Sequence, residues 1–366
     1  MERRQAQPAM VTIKDIAERL GVSVSTVSKG LNGGSDISDA LRSTILETAV
    51  EMGYTSRRAR KVENRTIGLF IENMEYEQPG QFGYDIVLGF RQAAFKEQWD
   101  VRTVPVTPDY QKKNQYEMMM METSYCAGCM LGLALDDPWM TQFETAQTPT
   151  VLLDNFIPVN PNVGYVGTDS QEVMEMSVDH LIGLGHEKIA FLGGSSHSYI
   201  SDQRMSAFLS VMKKHHLPVD PSMAVYAYYV ADAAKHHVPG MLDLGATAII
   251  CGNDLLAQGA IECCRSLGFR VPEDVSIIGY DDIPLAEQLD PPLTTIRQDR
   301  LAIGRACFYT LHAMLDGVSL NRSQLRPSLV VRSSTGKASP RLVTRRAEDH
   351  DSVLYVNPAL YMQIAN

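Results

Sequence analysis

Thr12-Ile-Lys-Asp-Ile-Ala-Glu-Arg-Leu-Gly21-Val-Ser23-Val-Ser-Thr-Val-Ser-Lys-Gly-Leu31 reads as two short helices joined by a tight turn. Thr12 followed three residues later by Asp15 is a helix-capping signal. Ile13, Ile16, Ala17 and Leu20 share one helical face. Gly21 ends the helix, since glycine accepts the left-handed backbone a C-terminal turn needs. Ser23 caps a second helix, whose Val24, Val27 and Leu31 are apolar at spacings of three and four. A third helix starts at Ser38, lines one face with Leu41, Ile45, Ala49 and Met52, and stops at Gly53. Helices this small bury too little alone and must pack together. A trihelical unit with this turn is a helix-turn-helix DNA reader whose second helix enters the major groove. The outward residues of that helix, Ser25, Thr26, Ser28 and Lys29, are short polar or basic side chains suited to base edges and phosphates. A solvated helix face is the alternative reading of the same four residues.

The charge balance divides along the chain. The 366 residues carry a formal net charge of -10, yet residues 1–66 hold 11 Lys/Arg against 8 Asp/Glu. That makes the amino-terminal part +3 and leaves -13 for the rest. Arg57, Arg58, Arg60, Lys61 and Arg65 form the densest basic run. A basic head on an acidic body suits phosphate attraction that depends on local charge. The same run also suits a solvated linker.

The first residues lack the apolar stretch of a secretory leader, and no run of about 18 apolar residues is present to span a membrane. The expected location is cytoplasmic, with no membrane partner. Six cysteines, mostly in apolar segments, are expected to be reduced core thiols. Cys126 and Cys129 sit in a buried-strand pattern, and Cys263-Cys264 is a poor second ligand pair, so no metal site is expected. No cofactor motif is evident. Phosphate-loop and Ser-nucleophile-elbow patterns are absent, which argues against an enzyme. Met118–Met121 reads as gap-filling core or a subunit contact.

Beyond residue 66 short apolar runs alternate with amphipathic segments. Expected strands are 66–71, 101–106, 128–133, 150–153, 188–192, 248–251 and 275–279, with helices such as 169–184, 204–215 and 253–267 between them. Such alternation implies doubly wound parallel sheets covered by helices. About 270 residues is too many for one sheet, so two similar lobes are expected.

These residues resemble the lactose/galactose-repressor (LacI-type) family over roughly 11–336. Val11-Thr-Ile-Lys-Asp-Ile-Ala17 and Gly21-Val-Ser-Val-Ser-Thr-Val-Ser28 are similar to the family's DNA-reading motif, followed by Asn32 and Met52-Gly-Tyr54. Leu184-Gly-His-Glu-Lys-Ile-Ala-Phe-Leu-Gly-Gly194, Cys251-Gly-Asn-Asp254, Val275-Ser-Ile-Ile-Gly-Tyr-Asp-Asp282 and Pro292-Leu-Thr-Thr-Ile-Arg-Gln298 follow in the family's order. The resemblance implies an all-α helix-turn-helix head (11–56), a basic linker (57–66) and a two-lobed α/β core like periplasmic binding proteins (67–336). Lobe one would be 67–165 with 298–325, and lobe two 166–297 with 326–336. A tail (337–366) without a leucine heptad follows. The resemblance further implies DNA contacts by Thr12, Val24, Ser25, Thr26, Ser28, Lys29, Asn32, Tyr54, Arg57, Arg58, Arg60 and Lys61. It implies a homodimer on a near-palindromic double-stranded operator, with a ligand in the cleft altering lobe closure. The linker departs from the family: Ala59-Arg60 is kept, but the usual Pro-Asn turn and minor-groove leucine are missing, and Val62 is the nearest apolar residue. A linker of this kind is expected to hold DNA mainly through phosphates and to kink it little.

Ligands of open α/β sheets bind beyond the carboxyl ends of the strands. That rule singles out Asp154, Asn253 and Asp281 at strand ends, Phe82 beyond the first strand, and Arg204 at the start of a helical pattern. The resemblance adds Gln298 and matches Arg204 to a ligand-binding arginine. Carboxylates with a guanidinium suit a small polyhydroxylated, sugar-like effector. Other roles stay open: Asn253 or Asp254 as a helix cap, Asp281-Asp282 as a turn, Arg204 paired with Asp202. Gly132 stands where some sugar-binding relatives place a polar side chain. The resulting expectation is a ligand-gated transcriptional regulator, most simply a repressor. The same regulator sensing a partner protein, or a carbohydrate-binding protein or enzyme without a regulatory role, are the alternatives.

Overall fold

The computed structural model describes residues 11–31, 36–54 and 65–339. The head consists of α1 (Ile13–Leu20), α2 (Val24–Leu31) and α3 (Asp39–Glu51). Four of the helix ends are closed by the residues the sequence offers for them. The Asp15 carboxylate accepts from the Thr12 N–H at 2.6 Å and from its hydroxyl at 2.8 Å. Gly21 takes a φ of 65° after α1. The Thr26 N–H donates to Ser23 Oγ at 3.1 Å, and the Leu41 N–H to Ser38 Oγ at 3.4 Å. Ile16, Ala17, Val27, Ile45, Ala49 and Tyr54 form the core of the head. Gly30 faces Ile45 so closely that a Cβ would collide with its side chain, which lets α2 lie tightly against α3. Val24 does not join this core: it is 39% exposed, and the packed stripe of α2 starts one turn later at Val27.

The described residues fall into two units, one within 1–173, 195–204 and 297–328, the other within 174–194, 205–296 and 329–366. Residues 166–173 and 195–204 therefore group with the first unit, where the sequence boundaries had put them in lobe two. For 166–173 the reason is a strand the alternation did not reveal, β5 (Val163–Thr168), which runs through the expected boundary.

The first unit is built on a six-stranded sheet ordered β11-β5-β4-β3-β1-β2. Its strands are β1 (Thr66–Ile71), β2 (Asp100–Pro105), β3 (Ala127–Leu131), β4 (Thr150–Leu153), β5 and β11 (Arg322–Leu325). All neighbours in it pair in parallel. Period-two alternation sends Ile67, Leu69 and Ile71 to one face, against the helices Phe82–Lys96 and Arg300–Leu315. Phe70 goes to the other face, with Tyr116, Trp139 and Phe143. Met119 and Met120 fill that second core, as gap-filling methionines do.

The second unit repeats the plan, ordered β12-β10-β9-β8-β6-β7. Its strands are β6 (Ile189–Leu192), β7 (Ala224–Val225), β8 (Ala248–Cys251), β9 (Ser276–Asp281), β10 (Thr294–Arg297) and β12 (Ser328–Val330). Numbered within each unit, both sheets run 2-1-3-4-5 with a further edge strand, the doubly wound order whose carboxyl edge receives ligands. The six cysteines are all buried with free thiols. Among the described residues no helix is long and apolar enough to cross a membrane.

Candidate functional site

On the head, α2 turns a hydroxyl-rich face outward. Ser23 Oγ lies 2.8 Å from both Ser25 Oγ and Thr26 Oγ1, so these groups organise one another at the start of the helix. Val24, Ser25 and Lys29 are exposed. The Lys29 ammonium pairs with the Asp36 carboxylate, a surface pair that a DNA contact would have to displace. Thr12 is occupied by Asp15. Tyr54, expected to contact DNA, has its ring buried in the head core at 7% exposure. Its location follows from the Schellman-type turn at Gly53, where the Tyr54 N–H bonds back to Ala49 O at 2.8 Å. Asn32, Arg57, Arg58, Arg60, Lys61 and the linker residue Val62 lie outside the described residues, as does the tail from 340.

Asp154, directly after β4, groups in the first unit with Arg204 on the helix Tyr199–Lys214 and Gln298 directly after β10. Asp154 follows β4 with a φ of 57°, a left-handed turn that aspartate tolerates better than most residues. Burial pushes its carboxyl up to about 6, against the opposing pull of the nearby Arg204 guanidinium. At neutral pH it is therefore mostly a carboxylate, beside a cation. Arg204 is 5% exposed. It does not start its helix: the helix is Tyr199–Lys214, and Arg204 stands in the second turn. Gln298 is buried and its Oε1 accepts from the Thr168 hydroxyl at 2.6 Å, joining the end of β5 to the segment before helix Arg300–Leu315. Phe82 is the first residue of its helix and packs, half-buried, against the core with Met74 and Tyr76.

Four residues of this unit escaped the sequence reading. Phe156, Tyr165 and Tyr199 form a triangle of rings with centroids 6.2–6.4 Å apart. Arg322 lies over Phe156, its guanidinium carbon 3.8 Å from the ring centroid. A Cβ at Gly167 would collide with both the Tyr165 hydroxyl and Asp154 Oδ1, so these two groups meet over a glycine that leaves them room. No periodicity marks β5 or β11, so nothing in the sequence brought Tyr165 and Arg322 together.

A second buried group closes β1. Glu72 is 3% exposed, Asp137 5% and Gln111 1%. Gln111 Nε2 donates to Glu72 Oε2, while its Oε1 accepts from the Trp139 N–H at 3.1 Å. Burial first, and then the neighbouring Asp137 carboxyl, push Glu72 up to about 8. The Glu72 carbonyl also explains Gly132: a Cβ there would strike that oxygen, and φ is 80°. A polar side chain at 132 is excluded by this close approach.

The second unit uses its carboxyl edge differently. Asn253 caps the helix Asp254–Ser266, its Oδ1 accepting from the Leu256 N–H at 2.8 Å. Its amide donates to the Tyr229 carbonyl at 3.3 Å. Of the two roles open to Asn253, the cap is the one the geometry displays. Asp254, fully buried, accepts from the Thr295 hydroxyl at 2.6 Å and from the Ile283 N–H at 2.8 Å. Burial and the nearby Asp281 carboxylate push Asp254 up to about 8. It thereby anchors the turn in which Asp281 and Asp282 adopt φ values of 106° and 50°. Arg332 holds the Asp282 carboxylate at 2.7 Å. The turn reading of Asp281-Asp282 is thus observed, and it fixes where Asp281 stands.

A helix-turn-helix head joined to two parallel α/β units with polar carboxyl edges defines a DNA-binding transcriptional regulator with an effector-binding body. The sequence matches the model for bacterial regulatory proteins of the lacI family over residues 12–56. It matches the periplasmic binding protein-like domain over 178–335. The HTH-type transcriptional regulator reg1 of Streptomyces lividans is 28% identical, covering 89% of this chain and 97% of that protein. The HTH-type transcriptional repressor PurR of Aliivibrio salmonicida is also 28% identical, covering 90% and 100%. The structure of the transcriptional regulator CelR in complex with cellobiose aligns with a TM-score of 0.64 at 26% identity, covering 88% of this chain and 99% of that one. The chain belongs to the LacI family of transcriptional regulators.

Proposed function

We propose that this regulator works as a homodimer on a near-palindromic operator and that a small, polar, sugar-like effector sets its affinity for DNA. The observation that carries this reading is the buried Arg204 beside the Asp154 carboxylate at the carboxyl edge of the first sheet. A guanidinium fork next to a carboxylate offers donors and acceptors together, the set that a polyhydroxylated ligand satisfies. Gln298 in the same unit supplies a further polar contact. Phe82 supplies an apolar wall, and Asn253 acts mainly through its helix.

On DNA, Val24 meets a thymine methyl, Ser25 a base edge, and Lys29 leaves Asp36 to donate to guanine. Two heads on one dimer read two half-sites. A screen of sugars and nucleosides by thermal shift on the full chain, repeated on Arg204→Ala, tests the effector reading. A compound that raises the melting temperature of the wild type and not of the variant supports it. Stabilisation that survives in Arg204→Ala would move the ligand elsewhere. Lys29→Ala tests the base contact: specific binding should fall by roughly 1–3 kcal/mol while binding to random DNA changes little. Equal loss on both, at fixed salt, would make Lys29 a phosphate contact.

A further inference from the structure

We propose that Arg322 is an anion-recognition residue of the first unit, and that the effector carries an acidic oxygen group, phosphate or carboxylate, which Arg322 receives. The proposal rests on the effector reading above and extends it to the ligand's charge.

Arg322 is the first residue of the edge strand β11, in register with Tyr165 on β5. Its guanidinium carbon lies over Phe156, 3.8 Å from the ring centroid, and 5.7 Å from the Tyr165 ring centroid. Its Nη2 donates to the Tyr199 hydroxyl at 3.3 Å. Two rings therefore restrain the cation and one hydrogen bond, to Tyr199, restrains its rotation. The side chain stays exposed.

What these partners do not do is neutralise it. Arg300 faces Asp85 at 3.1 Å, Arg332 faces Asp282 at 2.7 Å, Arg270 faces Asp274 at 3.0 Å and Arg265 faces Asp290 at 3.2 Å. Among the described residues no carboxylate lies within 4.0 Å of Arg322. Stacking uses the faces of the guanidinium and leaves its edge, where the N–H donors lie, to a ligand. An arginine held in this way has already lost much of the rotamer freedom that binding would remove, which lowers the cost of meeting a bidentate oxyanion.

The position links this cation to the effector residues. The Tyr165 hydroxyl and Asp154 Oδ1 share the space over Gly167, and Tyr199 stands on the same helix as Arg204. Asp154 feels the Arg204 charge and shares the space over Gly167 with the Tyr165 hydroxyl, and Tyr165 and Tyr199 both meet Arg322, all within one unit. Hydroxyls of the effector would meet Asp154 and Arg204, and its acidic group would meet Arg322.

The test is a titration of the full chain with inorganic phosphate at constant ionic strength, read by thermal shift, with chloride as control. The wild type should show saturable stabilisation. Arg322→Gln should weaken the apparent affinity at least about tenfold, and Arg322→Lys, which keeps charge without the planar fork, by less. Absence of saturable stabilisation in the wild type, or equal affinity in Arg322→Gln, overturns the proposal. So does a fall in melting temperature of Arg322→Gln with its phosphate response unchanged, which would make Arg322 a strand-edge clamp. A second arm compares sugars and nucleosides with their phosphates and uronates. The acidic members should outperform the neutral ones in the wild type and lose that advantage in Arg322→Gln; equal ranking in the two proteins overturns it. Because inorganic phosphate needs no knowledge of the effector, a panel in which nothing binds would count against the effector reading and leave the phosphate titration to decide this one.

Discussion

The two sheets share a strand order but spend their carboxyl edges on different tasks. In the second unit Asn253, Asp254 and Asp282 are tied to neighbouring groups of the fold. Asn253 caps a helix, Asp254 grips the Ile283 N–H and the Thr295 hydroxyl, and Asp282 is locked to Arg332. In the first unit Gln111 donates to Glu72 beyond β1, Asp154 feels the Arg204 guanidinium, and Arg322 lies over Phe156; Asp154, Arg204 and Arg322 are the groups proposed above to meet a ligand. Common topology therefore predicts where polar residues collect, while the groups each one meets set its local role.

The sharpest way to break that contrast is to delete one carboxylate from each edge. Asp254→Ala removes a buried acceptor from two donors and should cost roughly 2–4 kcal/mol in urea unfolding. Asp154→Ala should cost less than about 1 kcal/mol, because burial already disfavours its charge. Equal losses would erase the distinction between the edges.

A second test uses pH. Glu72 binds its proton more tightly in the folded chain, up to about 8 against an ordinary 4.5, and Asp254 behaves alike, up to about 8 against 3.8. The folded state then holds protons that the unfolded state releases. The stability these groups contribute is complete below their unfolded values and is lost as pH rises to about 8. Glu72→Gln imitates the protonated form and should flatten the decline in urea midpoint measured from pH 5 to 8. An unchanged slope in the variant would mean that Glu72 keeps its charge.

A smaller effect separates the two roles of Asn253. Asn253→Ala should cost about 1 kcal/mol through the lost cap, and Asn253→Asp only a few tenths. If both variants keep an effector midpoint close to that of the wild type, Asn253 belongs to the fold; a large shift in Asn253→Asp would return it to the ligand.

The head was almost wholly legible in the sequence, because Thr12, Gly21, Ser23 and Ser38 are local signals that need no tertiary partner. Strands such as 66–71, 150–153 and 248–251 were legible as apolar runs at the right spacing. Val163–Thr168 and Arg322–Leu325 were not, since glycines, a threonine and charged residues break their pattern and long-range pairing alone makes them strands. With them went Tyr165 and Arg322. The Glu72–Asp137–Gln111 group was also invisible, being spread over 66 positions of sequence, and Asn253 showed that a strand-end amide is as readily a cap as a ligand contact.

The measurement that bears most directly on the account is operator affinity of the full chain with and without a compound that stabilises the wild type, made in parallel on Arg204→Ala. Coupling of about 1–3 kcal/mol corresponds to a shift of roughly 5–150-fold in the wild type. The account predicts that shift there, none in Arg204→Ala, and unliganded affinities within a few fold of one another. An undiminished response in Arg204→Ala, or loss of operator binding by the unliganded variant, would contradict it.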